Sequence, residues 1–246
     1  MTLRLSRICR HPIKAHGRED LASVLLLAGA CLPSDRRWAV AHEAAKLVPG
    51  WNPCNNFHRG AKAPKLMAIT CDLHGDQVTL HHPDQPDLTF RPDDPTDLPA
   101  FLDWLAPLSP TDRAQPARIV SAPQGLTDSD FPSVSILTQA SLDALSRLVG
   151  QPLSQDRFRG NLWLDGPIAL AEFDWIGRDI QIGTAVLTVK ERITRCRATM
   201  TNTTTGQVDA DTLGALNSAY GHQDFGVYAV VKTGGQISVN DEGTLL

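Results

Sequence analysis

Residues 157–164 read Arg157-Phe158-Arg159-Gly160-Asn161-Leu162-Trp163-Leu164. Two arginines straddle one phenylalanine, a glycine lets the chain turn, and the apolar run that follows begins a strand. A later stretch, Thr194-Arg195-Cys196-Arg197, repeats the device with a cysteine at its centre. Guanidinium groups are rigid forked donors that match phosphate and other oxyanions. A cysteine between two positive charges is expected to have a lowered pKa and to favour thiolate, the form that ligates a soft or borderline metal. An anionic cofactor bearing sulfur and phosphate suits both stretches. The competing reading is a solvated charged strand with a chance cysteine, because charge runs usually face water.

Around these stretches the chain is punctuated by 17 prolines and 18 glycines, which predicts short strands joined by turns. Leu3, Leu5, Arg7 and Cys9 alternate with Arg4, Ser6 and Ile8 as in a strand. Further strands are expected at 38–41, 65–71, 77–81, 161–164, 179–183 with 185–189, and 192–200. Residues 227–231 and 236–239 read as a closing pair across Gly234-Gly235. Residues 101–105 and 135–148 carry helical spacing, and Gly150 stands where a helix C-cap glycine belongs. The chain thus reads as α+β and strand-rich. Pro107, Pro110 and Pro116 mark a boundary, giving a β-rich domain over 1–118 and a second over 119–246.

The 246 residues are 42% hydrophobic and 20% charged, with a mean hydropathy of −0.17. That composition supports a buried core and excludes disorder, collagen and coiled coil. A net charge of −4 argues against a nucleic-acid binder. No apolar run approaches the ~18 residues of a membrane span. Val24 to Cys31 imitates a secretory core, but Arg18, Glu19 and Asp20 directly precede it. A cytoplasmic protein is the expectation. The five cysteines lack CxxC spacing, so neither a disulfide framework nor a close-spaced zinc site is expected. Cys9, Cys31 and Cys71 read as buried hydrophobes. Dinucleotide, P-loop and nucleophile-elbow motifs are absent. His42-Glu43 lacks the second histidine of a zincin and reads as surface. His81-His82, beside Pro83, reads as a solvated loop.

In this order, further segments carry a resemblance: His11-Pro12-Ile13-Lys14, Asp35-Arg36-Arg37-Trp38, Arg59 with Pro64-Lys65-Leu66, Ser133 to Leu142, 157–161, Arg195-Cys196 with Thr205-Gly206, Phe225-Gly226-Val227-Tyr228, and Asn240-Asp241. The chain resembles the MOSC-domain family, named for the C-terminal domain of molybdenum cofactor sulfurases. It is most similar to the branch of the mitochondrial amidoxime-reducing component and its bacterial relatives. Departures are Ala15 for a serine after the opening lysine and Gly160 for a proline in "RFRPN".

The resemblance implies a MOSC β-barrel-like domain preceded by a smaller β-rich N-terminal domain. Between them would sit the molybdenum cofactor (Mo-molybdopterin), with Cys196 as catalytic residue and thiolate ligand to the metal. Lys14, Arg36, Arg159 and Asn161 would hold the pterin and its phosphate, with Tyr228 nearby. The implied activity is reduction of N-hydroxylated small molecules such as amidoximes or hydroxylamines. No flavin or iron–sulfur motif is present, so electrons would come from a separate ferredoxin-, flavin- or cytochrome b5-type protein. The alternative is a non-redox carrier of cofactor or sulfur. For Asn161, strand-end hydrogen bonding is the competing reading; for Lys14 and Arg36, a surface salt bridge; for Tyr228, a core position. Ser133 and Ser135 touch the pterin or cap the helix after them. His222 is a proton donor or a surface histidine.

Overall fold

The computed structural model describes residues 3–246. In chain order the elements are β1 (Leu3–Arg10), β2 (Ile13–Lys14), β3 (Glu19–Leu21), β4 (Ser23–Leu26), β5 (Trp38–His42), β6 (Thr70–His74), β7 (Gln77–His82), β8 (Gln85–Phe90), α1 (Leu98–Leu105) and β9 (Pro116–Ser121). Then follow β10 (Val134–Thr138), α2 (Gln139–Val149), β11 (Leu162–Asp165), β12 (Asp179–Ile182), β13 (Ala185–Thr194), α3 (Thr212–Tyr220), β14 (Asp224–Thr233), β15 (Gly235–Ser238) and β16 (Glu242–Leu245).

Seven strands close a barrel in the order β11-β10-β14-β13-β12-β16-β1, with β1 returning to β11 and β3 attached outside β1. Closure leaves no open edge among the seven. Inside lie Leu5, Ile8, Ile136, Leu162, Leu164, Ile180, Leu187, Val189, Val227 and Ala229, all fully buried. The smaller unit has two sheets, β2-β5-β9 and β6-β7-β8. Its core is Ile13, Trp38, Leu66, Leu80, Phe90, Phe101 and Leu105, with Phe90 stacked on Phe101. A third cluster, including Leu142, Phe158, Trp163, Leu216 and Phe225, lies beneath α2 and α3.

The expected strand-rich architecture of two units is present, but β1 belongs to the large barrel. It pairs with β11 and β16, so a cut at 118/119 would leave a barrel strand with the smaller unit. Its burial does not follow the expected alternation. A bulge between Leu5 and Arg7 turns the chain, and Ile8 as well as Leu5 is fully buried. Residues 64–68 form a 3-10 helix where a strand was expected, because Pro64 sits in its first turn and cannot donate to a ladder. Residues 134–138 are a strand, and the helix starts only at Gln139. The apolar spacing there served a strand buried on both faces. Thr138 caps that helix by accepting from the Ser141 N–H, and Gly150 ends it in the left-handed region as expected.

Past Thr194 the extended reading fails, since residues 197–200 make a 3-10 turn. Residues 235–238 pair with β4 rather than with β14. Helix α3 carries little apolar periodicity and escaped the sequence reading. His82 is buried, and His81 lies between Asp72 (3.1 Å) and Asp87 (2.9 Å) on a strand, so neither is in a solvated loop.

Three buried histidines stay neutral in the fold. Burial pushes His11 down to about 3, and burial with the neighbouring His42 charge pushes His58 down to about 4. His16 is held well below its ordinary value by burial and by His58. Below their unfolded value of about 6.5 the unfolded chain takes up protons that the folded chain refuses. Stability is therefore full above that pH and falls as pH drops from about 6.5 toward 4, by about 1.4 kcal/mol per unit for each histidine. Urea midpoints at pH 7, 6 and 5 will fall progressively, and His58→Gln will flatten the slope by about one histidine's share.

Candidate functional site: a cationic cleft around Cys196

The site forms where β2 and the turn before β5 meet the loops between β9 and β10, between α2 and β11, and after β13. Its anchor is Asp35, which is fully buried. Asp35 Oδ1 accepts the His11 backbone N–H at 2.7 Å and the His11 Nδ1–H at 3.3 Å. Its other oxygen accepts from Arg36 Nη1. Burial would raise this carboxyl, but Arg36 and the His11 hydrogen bonds hold it well below the usual carboxylate range. Because Nδ1 carries the His11 proton, Nε2 is free to accept from the Cys9 thiol at 3.5 Å. Cys9, His11 and Asp35 thus line up as a nucleophile, base and orienting acid would. Yet burial pushes the Cys9 thiol up to about 12, and Cys9 is only 2% exposed. The set is framework.

Arg36 extends from Asp35 across the cleft and donates from Nη2 to the Arg159 backbone carbonyl at 3.0 Å. Arg159 Nη2 donates back to the Ile13 carbonyl at 3.4 Å. Burial and then the Arg36 charge push Arg159 down to about 10. Both arginines hold left-handed backbone, with φ of 50° and 47°, as does Ala15 beside Lys14 at 65°. Such backbone in non-glycine residues persists where the surroundings over-determine it. Lys14 Nζ donates to the Leu126 carbonyl at 2.8 Å and to Asp128 at 2.6 Å.

Cys196 follows β13 and is exposed. The expected activated thiol is not present. Crowding by surrounding protein raises its pKa, and Asp128 adds to the rise, outweighing the Arg195 charge and the Ala198 N–H that favour thiolate. Arg195 is instead a structural fork, with Nε on the Phe225 carbonyl at 2.7 Å and Nη1 on the Phe158 carbonyl at 2.8 Å. It thereby clamps the residue before Arg159 to the strand that carries Tyr228. Its Nη2 is buried without a partner. Burial pushes the Tyr228 hydroxyl up to about 12, with Asp128 adding to the effect, so the phenol stays protonated.

The structure brings Lys14, Arg36, Arg159, Cys196 and Tyr228 together around Asp128. Asn161 sits behind this cluster. Its Oδ1 accepts from Ser135 N (3.1 Å) and Oγ (2.9 Å), and its Nδ2 donates to the Cys9 carbonyl (3.2 Å). Asn161 thus ties β1, β10 and β11 together. Ser135 is spent on this tie, and Ser133 accepts from Ser129 at 2.7 Å. His222 stacks on Tyr220 and accepts the Asp224 N–H at 3.1 Å. The sequence reading passed over Asp128. Asp128 is solvent-exposed, and Lys14, Arg36 and Arg159 hold its carboxyl below the ordinary value. Nothing in its local Thr-Asp-Ser-Asp stretch marked it. Lys14, Arg36, Arg159 and Arg195 face Asp35 and Asp128, and Arg195 also faces the buried Glu172, so the cations outnumber the acids by one. Among the described residues, no cluster of three histidine, cysteine or acidic side chains could hold a metal. A metal here would thus depend on Cys196 and on a ligand carried in with it.

A closed barrel joined to a smaller strand-rich unit frames a site that sets an accessible sulfur among arginines. Residues 124–244 match the MOSC domain and residues 2–104 the MOSC N-terminal beta barrel domain, so the chain belongs to the MOSC family. No curated protein matches it. Among solved structures it is similar to the YUAD protein from Bacillus subtilis, at 10% identity and a TM-score of 0.49, covering 100% of this chain and 96% of that one. It is also similar to YiiM from Geobacillus stearothermophilus, at 18% identity and a TM-score of 0.36, covering 46% and 53%.

Two outcomes check this geometry. In a Cys54→Ala background, the alkylation rate of Cys196 by iodoacetamide will still be climbing at pH 9, whereas an activated thiolate would plateau near neutrality. At Gly160 a Cβ would collide with Leu137 Cδ1, so Gly160→Ala will lower stability by about 1–3 kcal/mol in urea unfolding.

Proposed function

We propose that the cleft holds the molybdenum–pterin cofactor and that the protein reduces N-hydroxylated small molecules. One observation carries this reading: the uncompensated positive charge around an accessible cysteine, with a buried, unpartnered Arg195 N–H beside it. Buried cations in excess call for an anionic partner, and a lone sulfur among them suits a metal whose other ligands arrive on that partner. When bound, the cofactor supplies two-electron oxygen-atom transfer. The overall reaction balances as R–NH–OH + 2e⁻ + 2H⁺ → R–NH2 + H2O.

Cys196 Sγ is the protein's metal ligand in this reading. Its raised pKa means the thiol proton leaves only when a cation replaces it. Lys14, Arg36 and Arg159 hold the phosphate and pterin oxygens, with the arginine forks fixing orientation. Lys14 must exchange Asp128 for the incoming anion. Asp128 is thus the internal counter-ion that keeps the cluster together until loading. Tyr228, protonated at working pH, donates its O–H to oxygen in the cleft. Asn161 acts one layer back, by fixing β1, β10 and β11.

No helix among the described residues is long and apolar enough to cross a membrane. A cytoplasmic location, a separate electron-donor protein and the division into units at 118/119 belong to the same proposal.

Protein from a host that makes the cofactor will carry near-stoichiometric molybdenum. With a chemical reductant as electron source it will convert a hydroxylamine-type substrate to the amine. Cys196→Ala will lose at least 99% of turnover, and Arg159→Gln will retain about tenfold less phosphate-bearing pterin after dialysis. Full turnover in Cys196→Ala sinks the assignment. Cofactor that exchanges freely without substrate-driven turnover would make the protein a carrier.

A further inference from the structure

The smaller unit holds a recess of about 170 Å³ lined by His42, Asn55, Phe57, His58, Arg59, Lys62, Ala63, Pro110, Arg113 and Ala114. Its lining contains two histidines, two arginines and a lysine, and no carboxylate. The nearest carboxylates stay outside the lining, though one of them pairs loosely with Arg113. Glu43 accepts the Gln115 backbone N–H at 3.2 Å, and Asp112 is 76% exposed, 3.7 Å from Arg113 Nε. The low pKa of His58 reflects burial and the His42 charge with no acidic contribution, as a carboxylate-free recess requires.

The polar groups are arranged around a gap. His42 Nε2 donates to the Asn55 carbonyl at 2.8 Å, which leaves Nδ1 buried with no partner. In the imidazolium form that atom is a donor. Arg59 Nη1 donates to the Cys54 thiol at 2.9 Å, which fixes its guanidinium and leaves further N–H donors. His58 is locked from behind. His16 Nδ1 donates to the Lys14 carbonyl at 2.7 Å, so His16 Nε2 must accept, and His58 Nδ1 donates to it at 3.2 Å. Phe57, Ala63, Pro110 and Ala114 supply an apolar wall beside these cations.

We propose that this recess is a second anion-binding site, separate from the cleft around Cys196. Its ligand is a small organic anion with a phosphate or carboxylate head and a short apolar body. Arg59, Lys62, Arg113 and His42 take the head through charge-assisted hydrogen bonds, and Phe57 and the prolyl wall take the body. The recess abuts the cleft through Phe57, whose ring lies 5.9 Å from Lys14 Nζ, but none of its cationic side chains belongs to the Lys14, Arg36 and Arg159 cluster.

Calorimetric titration of cofactor-free protein with phenylphosphate and inorganic phosphate tests it. Phenylphosphate will bind more tightly than inorganic phosphate, and Lys62→Ala/Arg113→Ala will weaken it at least tenfold. Both side chains are exposed, so the melting temperature without ligand should be unchanged. Arg159→Gln, which disarms the cleft, will leave phenylphosphate affinity unchanged. With histidine labelled in ¹⁵N, the wild-type His42 ring signals will shift on titration whether or not the double variant folds. Three results would overturn the proposal: affinity lost in Arg159→Gln but kept in the double variant, equal affinity for the two probes, or no binding at millimolar phenylphosphate.

Discussion

A single buried carboxylate organises the cleft. Asp35 is enclosed by the His11 backbone N–H, the His11 ring and the Arg36 guanidinium. Breaking such a buried pair from one side costs about 3–5 kcal/mol, because the other charge is left stranded. The geometry matters as much as the energy. His11 directly follows the first strand, Arg36 begins the approach to β5, and Arg36 then reaches the Arg159 carbonyl. One acid thus sets the spacing between two chain segments and the arginine contributed by a third. Asn161 and Arg195 do similar work from the barrel side, joining strands through backbone carbonyls while the cleft faces solvent.

Strain and charge are concentrated in the same place. Ala15, Arg36 and Arg159 are three of the six non-glycine residues at positive φ among the described residues, and each adjoins or supplies a cation of the cleft. Left-handed backbone costs roughly 1–2 kcal/mol per residue. Here it aims side chains inward that ordinary turns would send outward. Asp128 then offsets the mutual repulsion of those cations. A preorganised array of this kind has little reorganisation left to do when an anion arrives.

Much of this was legible in the chain itself. Spaced arginines around a phenylalanine and a cysteine marked the two loops that face one another, and alternation with turn residues marked a strand-rich protein. Three kinds of feature were hidden. Pro64 converted an apolar run to a 3-10 turn, and two-sided burial gave β10 the look of a helix, since apolar spacing alone cannot separate them. The partner of residues 235–238 was non-local, lying on β4. Asp128 looked like any acidic loop residue because its role comes from Lys14, Arg36 and Arg159, all distant in sequence. The thiol of Cys196 was misjudged for a related reason. Sequence shows adjacent charges, whereas the protein crowding around the sulfur and a facing carboxylate, both tertiary, decide the pKa.

The pairing of β1 with β16 puts Leu3 opposite Gly243. During synthesis the first barrel strand therefore leaves the ribosome long before the strand that will seal it. Until then Leu3, Leu5 and Ile8 have nowhere permanent to go, and the smaller unit folds while tethered to an unfinished partner. Final closure of the barrel is a late, long-range event. The earlier pairing of β1 with β11 is what brings His11 and Lys14, which lie just past β1, toward Arg159. The cations are thus gathered by one seam of the barrel, β1 against β11, while β16 seals the other side of the same strand.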